Sequence, residues 1–443
     1  MTSRRLPRRL EEARLGFATL GRELPIFGAA TMVDQAGRLA LSLVAAGMLG
    51  PHVFGTWVVV TVVLQYTILA SLGLGQGAGR EVPKMLGAGR EAAAAHIEDV
   101  TLGGALITGT VAGLIAFAAG PWILGPAATP LTVALLGLAV MLQHGFLLEQ
   151  VFFRSRLRFR AASVQIAVQG VAGALLGAAL LAAGFGLVGL LSARVAILVV
   201  AALMAGRTLA RVPRPRLDWH RASELIRIGA PMMLAGFILS LVVTADRWIV
   251  LIFLGREATG IYGLVGLASS SMILLPVLVS QQFYPRLAQA RGGGASGADL
   301  GRLAGQQGAL AGALTAFAAL GVVGAAVILV PQFLPAYVAA TRPMLIVAVG
   351  VTAYAWTSAY ANVLHLLDHR RAVVGLQAAA LAIEIVIALG LVAVGLGIDG
   401  VAIGVATSLF VYAVAVRRWM AAAIRLDLAS TVAVDGLPNP DAR

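Results

Sequence analysis

Cysteine is absent from all 443 residues, which excludes disulfides, thiolate metal sites and cysteine nucleophiles. Charge is scarce as well. Asp, Glu, Lys and Arg make up 12% of the chain, against about 25% in soluble domains. Aromatic residues are 6%, thin material for a cage that would hold organic cations by cation–π contacts. Acid is the scarcer sign: 20 acidic residues face 33 basic ones, for a net charge of +13. What fills the space is apolar. The hydrophobic fraction is 59% and the mean hydropathy +0.91, more than a soluble core can bury, so lipid must be part of the solvent.

A helix needs about 20 apolar residues to cross the hydrocarbon. Twelve such runs lie near 25–49, 55–76, 100–120, 130–152, 162–184, 187–206, 229–253, 260–284, 308–331, 343–367, 373–395 and 399–420. No period-2 alternation marks the strands of a membrane barrel. The first run is full length and begins well behind the basic start, so it reads as a retained span rather than a cleaved signal. The expected fold is therefore an all-α polytopic membrane protein of 12 transmembrane helices.

Basic residues orient it. All but five of the 33 fall in the N-terminal arm, the tail and every second loop. Only Arg256 and Arg342 occupy the alternate loops. By the positive-inside rule both termini are cytoplasmic, and nucleic acid is not needed to explain the charge. The chain divides into a basic arm or interfacial helix (1–24), a six-helix lobe (25–206), a cytoplasmic linker (207–228), a second six-helix lobe (229–420) and a tail (421–443). Apolar positions at helical spacing within 6–24 fit a helix lying on anionic headgroups. The end, from Ala433, has the composition of a disordered segment.

The halves share a motif. Leu49-Gly50, then Gly55 and Trp57, matches Leu254-Gly255, then Gly260 and Tyr262, at an offset of 205. A parallel repeat of this kind places a transporter's substrate site between its halves.

Three arginines remain within the spans: Arg38, Arg194 and Arg247. The intramembrane acids are Asp34, Glu149, Asp246 and Glu384. Each such charge costs about 2.5–3.5 kcal/mol at mid-bilayer depth, so it needs a partner or a wet cavity. Asp34 and Arg38 stand at i and i+4, where a pair forms on one helix face. Asp246 and Arg247 are adjacent and about 100° apart, so each is expected to find its partner on another helix. Arg194 is near enough to one interface to snorkel. A guanidinium keeps its proton and offers fixed donors, which suits a diphosphate, so Arg38, Arg247 and Arg194 are the candidate substrate ligands. Asp34, Glu149 (with His144 one turn earlier), Asp246 and Glu384 are candidates for ion coupling or for structural ion pairs.

His365, Asp368 and His369 have metal-ligand spacing, but beside Arg370 and Arg371 an interfacial polar cap is the better reading. The glycine-rich stretch Gly73-Leu74-Gly75-Gln76-Gly77 has no strand before it and no Lys-Ser/Thr after it; its small residues serve close helix packing or bending. There is no nucleophile–base arrangement, so neither catalysis nor a metal or cofactor is expected.

Taken in order, several motifs resemble the polysaccharide-biosynthesis flippases, the Wzx-like lipid-linked oligosaccharide transporters of the MATE-like MOP superfamily. They are Gly50-Pro51 to Trp57, Leu72-Gly73-Leu74-Gly75, Arg80-Glu81-Val82-Pro83, Gly229-Ala230-Pro231, Asp246-Arg247-Trp248, Tyr284-Pro285-Arg286 and Gly400 to Gly404. The resemblance implies two six-helix lobes in a V around a central cavity, alternating access, and an undecaprenyl-diphosphate-linked glycan unit moved from the cytoplasmic to the outer leaflet. It also implies that cationic cavity residues receive the diphosphate. Of the arginines only Arg247 falls within a matched motif; Arg38 rests on the physical argument. The thirteenth and fourteenth helices of a lipid II flippase are missing. Implied partners are the lipid-linked substrate, an H+ or Na+ counter-ion, anionic lipids at the basic loops and a polysaccharide polymerase, in the inner membrane. Two other readings stand beside it, a MATE-like multidrug/cation antiporter and a non-transporting scaffold of a glycan-assembly complex.

Overall fold

The computed structural model describes the backbone of residues 8–209, 211–293, 295–367 and 369–435, with side-chain detail between 25 and 425. Among them there is helix and no strand. In order the helices are α1 (Arg8–Gln65), α2 (Leu74–Gly87), α3 (Glu91–Ala118), α4 (Gly120–Leu124), α5 (Pro130–Ser155), α6 (Phe159–Ala182), α7 (Gly186–Thr208), α8 (Trp219–Gly292), α9 (Gly297–Phe333), α10 (Thr341–Leu366), α11 (Arg370–Ala393) and α12 (Gly397–Asp435). Among the described residues, ten helical stretches are long and apolar enough to cross a membrane. Two of them, Pro25–Ser71 and Ser240–Ser280, run 47 and 41 residues, about twice the length a bilayer needs. Both break at a glycine. Gly50 has φ 70 and ψ 168, and Gly255 has φ 86 and ψ −178. Divided there, the stretches are compatible with twelve spans.

Those two glycines are the equivalent positions of the sequence repeat, and they hold nearly the same backbone conformation, one essentially reserved for glycine. The repeat goes further than the sequence comparison. The turn after α2 has Ala88 N–H to Lys84 C=O and Arg90 N–H to Met85 C=O; the turn after α8 has Gly293 to Gln289 and Ala295 to Ala290, again 205 residues on. From α5 the offset becomes 211. Arg158 N–H to Phe153 C=O is matched by His369 to Leu364, and Phe185 to Leu180 by Leu396 to Leu391. The last of these closes Gly184-Phe185-Gly186 and Gly395-Leu396-Gly397, whose glycines have φ 84 and 53 in one copy and 90 and 53 in the other.

The chain forms two compact units, 1–49 with 60–237 and 50–59 with 238–443. In the first, α5 packs against α3 and α7, and α6 lies on α7. In the second, α10 packs against α9 and α12, and α11 against α12. Here Gly308 and Gly312 of α9 receive Trp356 of α10; a Cβ on Gly312 would overlap its ring. Residues 50–59 enter the second unit by crossing α8 backbone to backbone. A Cβ on Gly55 would overlap the Arg256 carbonyl oxygen, and one on Gly260 the Pro51 carbonyl oxygen.

Three boundaries differ from expectation. The helix of the basic arm begins at Arg8 and continues without a break into the first span. Helix α12 extends to Asp435, so residues 433–435 are helical; residues 436–443 lie outside the described residues. The linker is short. Helix α8 already starts at Trp219, because the Asp218 carboxylate accepts the Arg221 N–H at 3.0 Å and caps its first turn. That hydrogen bond holds the Asp218 carboxyl below the usual carboxylate range.

The linker is fastened to α3. Asp99 accepts from Arg211 at 2.7 and 2.6 Å and from the Arg214 N–H at 2.7 Å, and its carbonyl accepts the Arg216 N–H at 3.1 Å. Hydrogen bonding to Asp99 raises the Arg211 pKa above its ordinary value. Buried Glu98 binds Arg156 at 2.7 and 2.9 Å. Asp99→Ala removes three of these bonds at once. Limited trypsin digestion of the folded protein should then cut within residues 211–216 at least about tenfold faster, as the loss of charge-assisted bonds raises the open population.

Candidate functional site

In the first unit the apolar run that makes α1 a span also carries Asp34 and Arg38 one turn apart. They form a direct ion pair. A glycine crossing buries the acid: Gly37 and Gly170 bring α1 and α6 into backbone contact, and a Cβ on Gly170 would lie 3.0 Å from that of Asp34. The Asp34 side chain is 5% exposed, whereas the Arg38 side chain is 52% exposed. Arg194 of α7 stands close enough to interact electrostatically with both. It is half-buried and donates to Oε1 of buried Gln143 at 2.5 Å, so its guanidinium is held within the unit. Its Nε and Asp34 Oδ1 have no hydrogen-bond partner among the described residues. One carboxylate against two guanidiniums leaves this cluster with a formal charge of +1.

Glu149 is separate from that cluster. Its carboxylate accepts from Gln165 Nε2 at 2.6 Å, and Gln165 in turn accepts from Gln150 and donates to the Ala201 carbonyl at 2.9 Å. His144 faces away from Glu149; its Nε2 lies 3.2 Å from the Thr108 hydroxyl. Five residues along a helix is 140° around it, so the two were never on one face.

The second unit brings Asp246, Arg247 and Glu384 together with Tyr262, all within electrostatic reach of one another. The expectation that Asp246 and Arg247 pair with other helices is corrected. The short Asp246 side chain folds back to accept the Arg247 N–H at 2.8 Å, and the long Arg247 side chain curls to Val243 C=O, 3.6 Å from Asp246 Oδ1. Cβ directions a hundred degrees apart do not separate side chains that can each bend toward the same turn. Arg247 is 10% exposed and lies flat across Gly266, where a Cβ would sit 2.6 Å from its Nε. Glu384 is 1% exposed, and neither carboxylate oxygen has a hydrogen-bond partner among the described residues. Two carboxylates against one guanidinium give a formal charge of −1.

Counting formal charges found the ionised residues and missed those that hold them: Gln143, Gln165, Tyr262 and Gly266. Glutamine inside an apolar helix also costs desolvation, less than a charge does, and is the sequence signal for these positions. Of the metal-spaced set His365, Asp368 and His369, Asp368 lies outside the described residues.

Long apolar helices, a two-fold internal repeat and paired charges buried inside each unit define a class, the multi-pass membrane transporters. The chain belongs to the family of polysaccharide biosynthesis proteins, whose model matches residues 44–294, more than half of its length. Among solved structures it is similar to a multidrug resistance MATE family transporter of the MOP superfamily in an inward-facing conformation, with a TM-score of 0.73 at 15% identity, covering 91% of this chain and 98% of that one. The outward-facing form gives 0.63 at 15% identity, covering 91% and 96%. A MATE structure in the bent conformation gives 0.62 at 16%, covering 93% and 97%. These likenesses establish the fold. No curated protein matches in sequence.

Proposed function

We propose that the chain is a Wzx-like flippase that moves polyprenyl-diphosphate-linked oligosaccharide units from the cytoplasmic to the outer leaflet of the inner membrane by alternating access, with both termini cytoplasmic. The observation that carries this reading, given the family, is the opposite sign of the two clusters. Arg38, Asp34 and Arg194 hold a surplus positive charge with a half-exposed guanidinium, which suits an anionic diphosphate. Asp246, Arg247 and Glu384 hold a surplus negative charge at positions almost closed to solvent, which suits one H+ or Na+. Arg38 is therefore the principal diphosphate ligand, with Arg194 behind it. Buried Arg247 balances the carboxylates. Glu149, tied to neutral glutamines, has a structural role.

The test is reconstitution in liposomes with a fluorescent polyprenyl-diphosphate sugar. Arg38→Ala should slow flipping by about 10- to 100-fold, the worth of one charge-assisted contact. Flipping unchanged by Arg38→Ala would remove that residue from the site. Ethidium–proton exchange without lipid flipping would replace the flippase reading by an antiporter, and no transport of either kind would favour a scaffold.

A further inference from the structure

The linker between α7 and α8 rides higher on the first unit than a loop in the cytoplasm would. The Arg216 backbone lies against α3 at Gly103, where a Cβ would sit 2.3 Å from the Arg216 carbonyl oxygen, and the Asp99 carbonyl accepts the Arg216 N–H at 3.1 Å. The apolar run of α3 begins near residue 100, so Arg216 is level with the edge of the hydrocarbon. From there the chain descends to Asp218, whose carboxylate is 3.1 Å from His96 Nε2. His96 is four residues, about 6 Å along the helix, outside residue 100. A headgroup layer is about 5–8 Å thick, so residues 216–219 stand within it.

The backbone of this stretch suits a poorly hydrated setting. Pro213 and Pro215 have no N–H, and those of Arg214 and Arg216 are taken up by the Asp99 carboxylate and carbonyl. Four consecutive residues therefore present no free donor, a provision that a loop in water does not need. Asp99 holds the linker from the α3 side, and the side chains are left facing away. Val212, Leu217 and Trp219 are 57%, 61% and 70% exposed, three large apolar groups within eight residues. Arg214 and Arg216 are exposed between them, and neither guanidinium has a partner among the described residues. The acids beside them are already committed: Asp99 to Arg211, and Asp218 to His96 and the first turn of α8.

We propose that residues 212–219 form an interfacial strap that binds anionic phospholipid. Val212 and Leu217 enter the top of the acyl layer, Trp219 lies among the headgroups, and Arg214 and Arg216 hold lipid phosphates. An indole ring is favoured at this depth because one end is apolar and the other donates a hydrogen bond. A guanidinium fits a phosphate with two parallel N–H donors. The strap lies entirely in the first unit and is independent of the Arg38 cluster and of the flippase reading.

The lack of cysteine makes the test direct, since Leu217→Cys introduces a single thiol and so a single label. In vesicles of phosphatidylglycerol and phosphatidylcholine, a nitroxide at position 217 should collide with dissolved oxygen more often than with a water-soluble nickel chelate. The same label on Ala88→Cys, in the turn before Glu91 and so more than about 14 Å outside residue 100, should show the reverse. A bimane at position 217 should be quenched more strongly by brominated phosphatidylglycerol than by brominated phosphatidylcholine. Each basic residue near an anionic surface is worth about fivefold in binding, so Arg214→Gln and Arg216→Gln should each lower that preference by about this factor. All four positions are exposed, so the variants should fold. A label at 217 as open to nickel as the one at 88 would overturn the proposal and leave this face to a soluble acidic partner. Equal quenching by the two lipids, or a preference that both arginine variants retain in full, would overturn it as well.

Discussion

Replacing Gly260 by alanine is expected to cost more stability than any other single-methyl change in the second unit. The added Cβ would overlap the Pro51 carbonyl oxygen and lie 2.7 Å from its carbon and 3.0 Å from Gly55 N. These are backbone atoms on a second helix, so no side chain can rotate out of the way. Overpacking a core typically costs about 1–3 kcal/mol when side chains can shift, and here the cost belongs at or above the top of that range. Gly321→Ala is the control. It has open space around it, inside α9, where alanine is the better helix former by about 1 kcal/mol, so it should be neutral or stabilising. Gly50→Ala falls between them: nothing is near its Cβ, but a residue with φ 70 and ψ 168 is strained by about 1–3 kcal/mol unless it is glycine. Thermal unfolding of the three purified variants gives the order directly. A Gly260→Ala protein as stable as Gly321→Ala would mean that the two segments do not cross here.

The same glycines show what could be read from the chain and what could not. Hydropathy located the spans because the membrane demands long apolar helices whatever the residues within them. The repeat at Leu49 and Leu254 was legible because its glycines are the contact: composition and geometry coincide there. The second copy of that symmetry, Gly184-x-Gly186-x-x-Gly189 against Gly395-x-Gly397-x-x-Gly400, has equal glycine content but is not in register with the first, because six residues of insertion move its offset from 205 to 211. The small residues of Gly73-Leu74-Gly75 indicate a bend; the left-handed backbone of Leu72 beside them (φ 50) depends on its tertiary surroundings, and spacing along one helix contains no such information. The ion pairs divide the same way. Asp34 with Arg38 follows from one helix's geometry. The association of Glu384 with Asp246 joins residues 138 positions apart, and only tertiary structure makes it.

That association predicts the largest effects of all. Arg247→Met keeps the length of the side chain lying over Gly266 and removes the one guanidinium that the described residues place beside two buried carboxylates. Leaving a buried charge without its partner costs about 3–5 kcal/mol, so little folded protein should be recovered at the usual growth temperature. If charge and not packing is responsible, removing the acids must repair the loss. Arg247→Met combined with Asp246→Asn and Glu384→Gln is formally neutral, keeps every side-chain volume nearly unchanged, and should return thermal stability close to that of the parent. Buried ion networks replaced by neutral groups of equal volume are often no less stable. Glu384→Gln alone goes the other way. It takes the cluster from −1 to 0, leaves Asp246 paired with Arg247, and should be at least as stable as the parent. The proposed coupling role adds a functional consequence. In liposomes Glu384→Gln should still flip the lipid-linked sugar down its gradient but lose the dependence of flipping on an imposed proton or sodium gradient, since the group that takes up the cation is gone. A triple variant as unstable as Arg247→Met would show that the guanidinium acts through packing, and a Glu384→Gln protein that still responds to both gradients would place the coupling ion elsewhere.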